Sequence, residues 1–223
     1  MTEFTTWRSL VDGAEISEIP DAVAHYDAFE IDATDGDSKT SWTDLTGNFD
    51  VSGGSSIEYK TNGINGNPSL EFSGGSPLEN SEAEFDQPIT IVAVTEFMDS
   101  DLTNAGVPVG NIGDQFEIMQ GRGDGFDSLR AGEDLDVGNT ENSPSLLIGV
   151  FDGTESKARR NASDESTGDV GQNNMDGIRM GEDSNGSNSY DGQVGEVKIF
   201  DRKLSSEEIS SIENELLDKW DFE

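Results

Sequence analysis

Beyond Pro20, the apolar residues of this 223-residue chain follow a helical period once, close to the C-terminus, and a strand period everywhere else. The change falls between Phe200 and Ser205. Upstream, Val197 and Ile199 alternate with Glu196, Lys198 and Asp201, the two-residue repeat of a strand with one buried face. Downstream, Ser205 and Glu208 have the spacing of a capping box, in which the serine oxygen accepts the N–H three residues on and the glutamate reaches back to the serine N–H. Leu204 and Ile209 flank the box as a hydrophobic staple. Ile209, Ile212, Leu216 and Trp220 then share one helical face, with Ser210, Ser211, Glu213 and Asp218 directed away from it. One amphipathic helix therefore closes a chain that is otherwise sheet.

Strand patterns are predicted at Val23 to Ile31, Ile57 to Lys60, Ser69 to Phe72, Ile89 to Met98, Gln115 to Met119, Ser128 to Ala131, Leu146 to Phe151, Ser156 to Arg160, Ile178 to Met180 and Gln193 to Phe200. Ile89–Val94 and Leu146–Phe151 are nearly continuous apolar runs, expected of strands covered on both faces and central to the core. Turn clusters separate the strands, among them Asn65-Gly66-Asn67-Pro68, Gly74-Gly75, Asp152-Gly153 and Asp191-Gly192. About ten strands, 26 glycines and one helix predict an all-β fold, a two-sheet antiparallel jelly-roll sandwich with a C-terminal amphipathic helix. Residues 1–19 differ from the rest. Trp7, Leu10 and Val11 stand at helical spacing before Gly13, and with Phe4 they suit an N-terminal arm that docks on the domain or on a partner. The remaining 20–223 are one domain, a size that a single core can serve.

The 13 basic residues face 47 acidic ones, a net charge of -34, and the acids are spread along the chain. Acids interleaved with strand patterns form a solvated shell on a folded body, whereas a block of them would be a disordered tail. Such a shell repels itself in dilute buffer. In molar salt the Debye length falls to roughly 3 Å and the repulsion is screened. The composition therefore predicts a protein of high-salt surroundings. No basic stripe exists to meet phosphates, which excludes nucleic acid as a partner. With no cysteine, neither disulfides nor thiolate metal sites arise. The N-terminal residues lack the pattern of a secretory signal, and no run of about 18 apolar residues offers membrane insertion.

Three segments carry a family resemblance: Ala24-His25-Tyr26-Asp27-Ala28 with Ser41-Trp42-Thr43-Asp44-Leu45-Thr46-Gly47-Asn48; Leu146 to Thr154 with its return at Ser156 to Asn161; and Asp176 to Gly181 followed by Asp191 to Ser205 and the closing helix. Over residues 20 to 220 the chain resembles laminin-G-like, or concanavalin A-like, jelly rolls of the kind found in halophilic archaeal or viral surface proteins. The resemblance implies the fold and, less directly, a calcium ion at a loop edge. It leaves function open, because this fold serves lectins, adhesion modules, hydrolases and particle proteins.

Candidate sites follow from residue chemistry. Glu30-Ile31-Asp32-Ala33-Thr34-Asp35 approaches the Glu-x-Asp-x-(x)-Glu strand of some glycosidases of this fold. There the outer carboxylates act as nucleophile and acid, about 5 Å apart. Glu30, Asp32 and Asp35 are thus the catalytic set of an alternative hydrolase reading, with Asp35 one methylene short. The only histidine, His25, has a structural place in its strand. For calcium, the oxygen ligands favoured are Asp99 and Asp101, with Asn104 nearby, ahead of Asp32, Asp35 and Asp37. For glycan, Trp42, Tyr59, Phe126 and Tyr190 border polar loops and could stack on sugar rings, or pack in the core. Gly121-Arg122-Gly123-Asp124 holds an adhesion-type triplet whose glycines a turn also explains.

The function expected is a non-enzymatic, surface-displayed binding or structural module. The specific expectation is a turret, spike or tail protein of a halophilic virus, joined to other virion or surface proteins through residues 1–19. It would attach to cell-surface glycan or protein, with a homo-oligomer as a further partner class. A glycoside hydrolase and a host cell-surface adhesion domain are the alternatives.

Overall fold

The computed structural model describes residues 21–222 apart from 56, 103, 123 and 124. The N-terminal arm expected over 1–19 and two residues of the Arg-Gly-Asp triplet, Gly123 and Asp124, lie outside the described residues. In chain order the strands are β1 (Ala24–Asp27), β2 (Ser41–Trp42), β3 (Val51–Gly53), β4 (Ile57–Lys60), β5 (Ser69–Ser73), β6 (Leu78–Phe85), β7 (Ile89–Phe97) and β8 (Gly106–Gly110). They continue as β9 (Glu117–Arg122), β10 (Phe126–Arg130), β11 (Asp134–Asn139), β12 (Pro144–Phe151), β13 (Ser156–Arg160), β14 (Asp164–Gly168), β15 (Met175–Met180) and β16 (Asp191–Phe200), before helix α1 (Ser206–Lys219). One sheet, A, runs β14-β13-β12-β7-β16-β5-β4 with β1 also on β16; the other, B, runs β11-β10-β9-β8-β15-β6-β3-β2. The pairing is antiparallel throughout, so the architecture is the all-β sandwich with a C-terminal helix that the patterning predicts.

The two apolar runs are covered on both faces. Ile91, Ala93, Leu147 and Phe151 point into the core between the sheets, where Leu70, Ile118, Leu129, Ile178 and Val197 meet them. Their neighbours Val92, Val94, Leu146, Ile148 and Val150 face outward and pack under Ile209, Ile212 and Leu216 of α1 and Trp220 at its C-cap. The helix is thus the lid on the outer face of sheet A. Its capping box forms as the spacing requires, and Leu204 and Ile209 are both buried beside it. Gly195 lets the helix end come down: a Cβ there would lie 2.4 Å from the Trp220 ring. The closing strand pairs with early ones: β16 holds β1 along Glu196–Ile199 and β5 along Asp191–Val194.

Three local expectations are corrected. The strand predicted from Val23 to Ile31 stops at Asp27, whose Oδ1 accepts the Phe29 N–H and starts a short turn of 3-10 helix over Ala28–Glu30. Glu213 is buried instead of solvated, because Arg159 on β13 grips both of its oxygens at 2.7 and 3.0 Å. Six strands have no counterpart in the prediction: β2, β3, β6, β8, β11 and β14. Their sequences hide them. β6 reads Leu-Glu-Asn-Ser-Glu-Ala-Glu-Phe with only Leu78 and Ala83 buried, and β8 carries a proline between glycine ends.

Candidate functional site

The predicted site residues scatter. Glu30 ends the 3-10 turn, and Asp32 and Asp35 are exposed in the loop beyond it, so the three carboxylates share no strand face. Asp35 Oδ1 instead accepts the Thr61 N–H at 2.9 Å, and Asp37 Oδ2 accepts that of Thr34 at 2.8 Å. Asp99 organises its own loop: Oδ1 accepts the Asp101 N–H at 2.8 Å and Oδ2 accepts from Asn104 Nδ2 at 3.1 Å. Three of the four proposed sugar-stacking aromatics are core residues. Trp42, Tyr59 and Tyr190 are all buried, Trp42 against Tyr26 and Tyr190 between Phe72 and Phe97. A ring closed off in this way has no face to offer a sugar, so these three take the packing alternative; Phe126 stays half-buried at the start of β10.

What the sheets bring together instead is a row on the outward face of sheet B. Side chains that alternate with the core residues Val109, Ile118, Leu129 and Val137 must point away from the sandwich. The register places Ser41, Ser52, Glu79, Arg179, Gly110, Glu117, Arg130 and Asp134 side by side, one from each of the eight strands. Beside it, Met119, Ser128 and Asp136 start a second row. Charge alternates along the first row. Arg179 Nε donates to Glu79 at 2.6 Å, Arg130 Nη1 is 3.9 Å from Glu117 Oε1, and Arg130 Nε is 3.3 Å from Asp134 Oδ1. Arg122 completes the patch by donating to Asp134 and Asp136 at 3.0 and 3.2 Å.

Glu117 is the centre of this face and its anomaly. It is 1% exposed, and neither carboxylate oxygen has a hydrogen-bond partner. Gly110 makes room for it: a Cβ there would come within 3.1 Å of the Glu117 Cβ. Burial, and then the nearby carboxylates of Asp183 and Asp134, push the Glu117 pKa up to about 7, with Arg130 pulling the other way. Asp183 reaches this place because it ties the β15–β16 loop, accepting from Ser187 N and Asn188 Nδ2 while its carbonyl takes Arg179 Nη1. Ser128 Oγ and Asp136 Oδ1 are also buried without partners. Native proteins leave few such atoms, and here three residues of one sheet face carry them. Sequence reasoning passed over Glu117 as one residue of a strand pattern. The available signal was basic residues at strand positions, Arg122, Arg130 and Arg179, in a chain with so few of them.

Two other clusters are already complete. His25, Asp27 and Glu196 are the only group of three potential metal ligands within 4.8 Å among the described residues. An ammonium fills it: Lys219 Nζ lies 2.6 Å from Asp27 Oδ2 and 2.5 Å from Glu196 Oε2, and His25 Nε2 and Trp220 Nε1 each stand 2.9 Å from Glu196. The cluster latches the helix end to sheet A. A cleft of about 730 Å³ at the start of α1 gathers Lys157, Arg202 and Lys203, yet these pair with Glu165, Glu208 and Asp152.

No protein-family model matches the chain, and no curated protein matches it in sequence. Solved structures do match. Trypanosoma rangeli sialidase in complex with the inhibitor DANA aligns over 87% of this chain and 33% of its own, with 13% identity and a TM-score of 0.61. The botulinum neurotoxin serotype D ligand binding domain in complex with N-acetylneuraminic acid aligns over 88% of this chain and 51% of its own, with 14% identity and a TM-score of 0.60. The chain therefore spans about a third to a half of these proteins, and the likeness is one of fold.

Proposed function

We propose that this chain is a non-enzymatic carbohydrate-binding β-sandwich and that the outward face of sheet B is where the sugar sits. The observation that carries this reading is the buried Glu117, whose carboxylate accepts no hydrogen bond, in a cross-strand row of arginines and carboxylates. Sugars are held by such polar groups, which fix hydroxyl orientation through several hydrogen bonds at once. Arg122 and Arg130, both partly exposed, share this face with Glu117 and Ser128. That structural neighbours include a sialidase and a toxin domain holding N-acetylneuraminic acid supports the ligand class. The setting we propose is display in concentrated salt on a particle of a halophilic virus, as a turret, spike or tail component, which the 47 acidic residues suit.

The test is retention of the chain on immobilised glycans in molar KCl. Binding weakened by Asp136→Ala supports the reading, and no retention on any glycan at any salt concentration overturns it. Co-purification of the chain with virus particles supports the setting, whereas its recovery only as a free secreted monomer sinks it. The hydrolase alternative is eliminated if Glu30→Gln leaves any glycan hydrolysis unchanged.

A further inference from the structure

The chemistry of the unsatisfied atoms narrows the ligand further, given the carbohydrate-binding reading above. Three of them are carboxylate oxygens, two on Glu117 and one on Asp136, and a fourth is the Ser128 hydroxyl. All can accept a hydrogen bond. Arg130 Nε, a donor, also makes none, although it stands 3.3 Å from Asp134. The face therefore asks mainly for donors and offers one in return. A sugar hydroxyl supplies both roles from one atom, whereas an ammonium can only donate and a carboxylate can only accept.

The guanidinium groups argue against an acidic sugar. A carboxylate ligand is best held by a free arginine fork. Here Arg122 is engaged by Asp134 and Asp136, and Arg179 by Glu79, Glu182 and the Asp183 carbonyl. Arg130 lies between Glu117 and Asp134. An anion could take one of these forks only by stripping a partly buried carboxylate of its partner, which is the costly way to break such a pair. Glu117, Asp134, Asp136 and Asp183 would also repel it at close range.

We propose that this face selects neutral, hydroxyl-rich sugars and rejects acidic ones such as sialic acids and uronic acids. Neutral hydroxyls then complete the bonds that Glu117, Ser128 and Asp136 lack, with Arg130 donating in return. Selectivity comes from the arginines being neutralised in advance by the protein's own acids.

The experiment is binding of the full chain, in molar KCl, to an array carrying neutral oligosaccharides beside sialyllactose and glucuronate-bearing glycans. Expected is retention on neutral glycans, with acidic ones bound at least about tenfold more weakly, a difference of about 1.4 kcal/mol. Asp136→Ala and, at the buried floor, Ser128→Phe are each expected to weaken neutral binding at least about tenfold. Circular dichroism confirms that each variant is folded, and Asp136→Ala stands on its own if Ser128→Phe is not. Retention confined to acidic glycans overturns this inference and leaves carbohydrate binding intact. Neutral binding unchanged in the folded variants overturns it as well, by moving the site elsewhere. Absence of all glycan binding brings down the parent reading instead.

Discussion

Replacing Glu117 with glutamine preserves the shape of the side chain and removes its ability to ionise. In the folded protein its pKa stands at about 7 against an ordinary 4.5, because burial penalises the charged form and the carboxylates of Asp183 and Asp134 add to the penalty. At about 1.4 kcal/mol per pH unit, keeping the ionised side chain in place costs the fold about 3 kcal/mol. The sign follows from proton counting. Below an ordinary glutamate pKa the group is protonated in both folded and unfolded chains and no penalty exists. As pH rises, the unfolded chain gives up its proton first, and stability falls until the folded pKa is passed. Glu117→Gln should therefore match wild type near about pH 4 and be more stable by about 3 kcal/mol near about pH 8. Urea unfolding in molar KCl, followed by tryptophan fluorescence, reads the difference. An equal gain at both pH values, or a loss at alkaline pH, would show that Glu117 does not carry a buried, uncompensated charge.

Other expectations are independent of that one. Arg159→Met leaves Glu213 buried and unpaired, and should cost about 3 kcal/mol, with most of it recovered in the double variant Arg159→Met/Glu213→Leu; urea unfolding of the three chains gives the answer. Asp44 is buried, which alone would raise its pKa, but N–H groups of His25, Thr46 and Phe49 and the Thr46 hydroxyl outweigh this and lower it. Its contribution is present at neutral pH and is lost as pH falls below the ordinary aspartate range, so Asp44→Ala should lose about 3 kcal/mol at neutral pH and much less in acid. Lowering salt from molar to millimolar should dissolve the β-sheet signal in circular dichroism, since the acidic shell then repels itself unscreened; a spectrum that does not change contradicts the high-salt reading.

How much was legible in the sequence depended on whether the signal was local. The helix, its cap and its buried face are written in residues four or fewer apart, and all of them stand in the structure as spaced. So do the strands at Ile57–Lys60 and Ser156–Arg160, where the period-two pattern is uninterrupted. Signals failed where burial came from distant chain. β6 and β11 look like polar loop because they show their charged residues to the outer face and need partner strands to exist at all. The aromatic residues near loops looked available for stacking, and nothing within a few positions of Tyr190 says that Phe72 and Phe97 enclose it.

The candidate site is the extreme case of the same division. Its residues come from β6, β8, β9, β10, β11 and β15, and Glu79, Gly110, Glu117, Arg130, Asp134 and Arg179 become neighbours only through strand register. By itself the sequence determined the strand-rich fold, the closing helix and the acidic surface, because period, capping and charge count act over short distances or over the whole composition. Only the tertiary structure decided which carboxylate is buried without a hydrogen bond. Desolvation and cross-strand pairing depend on residues that the chain holds far apart until the two sheets have closed.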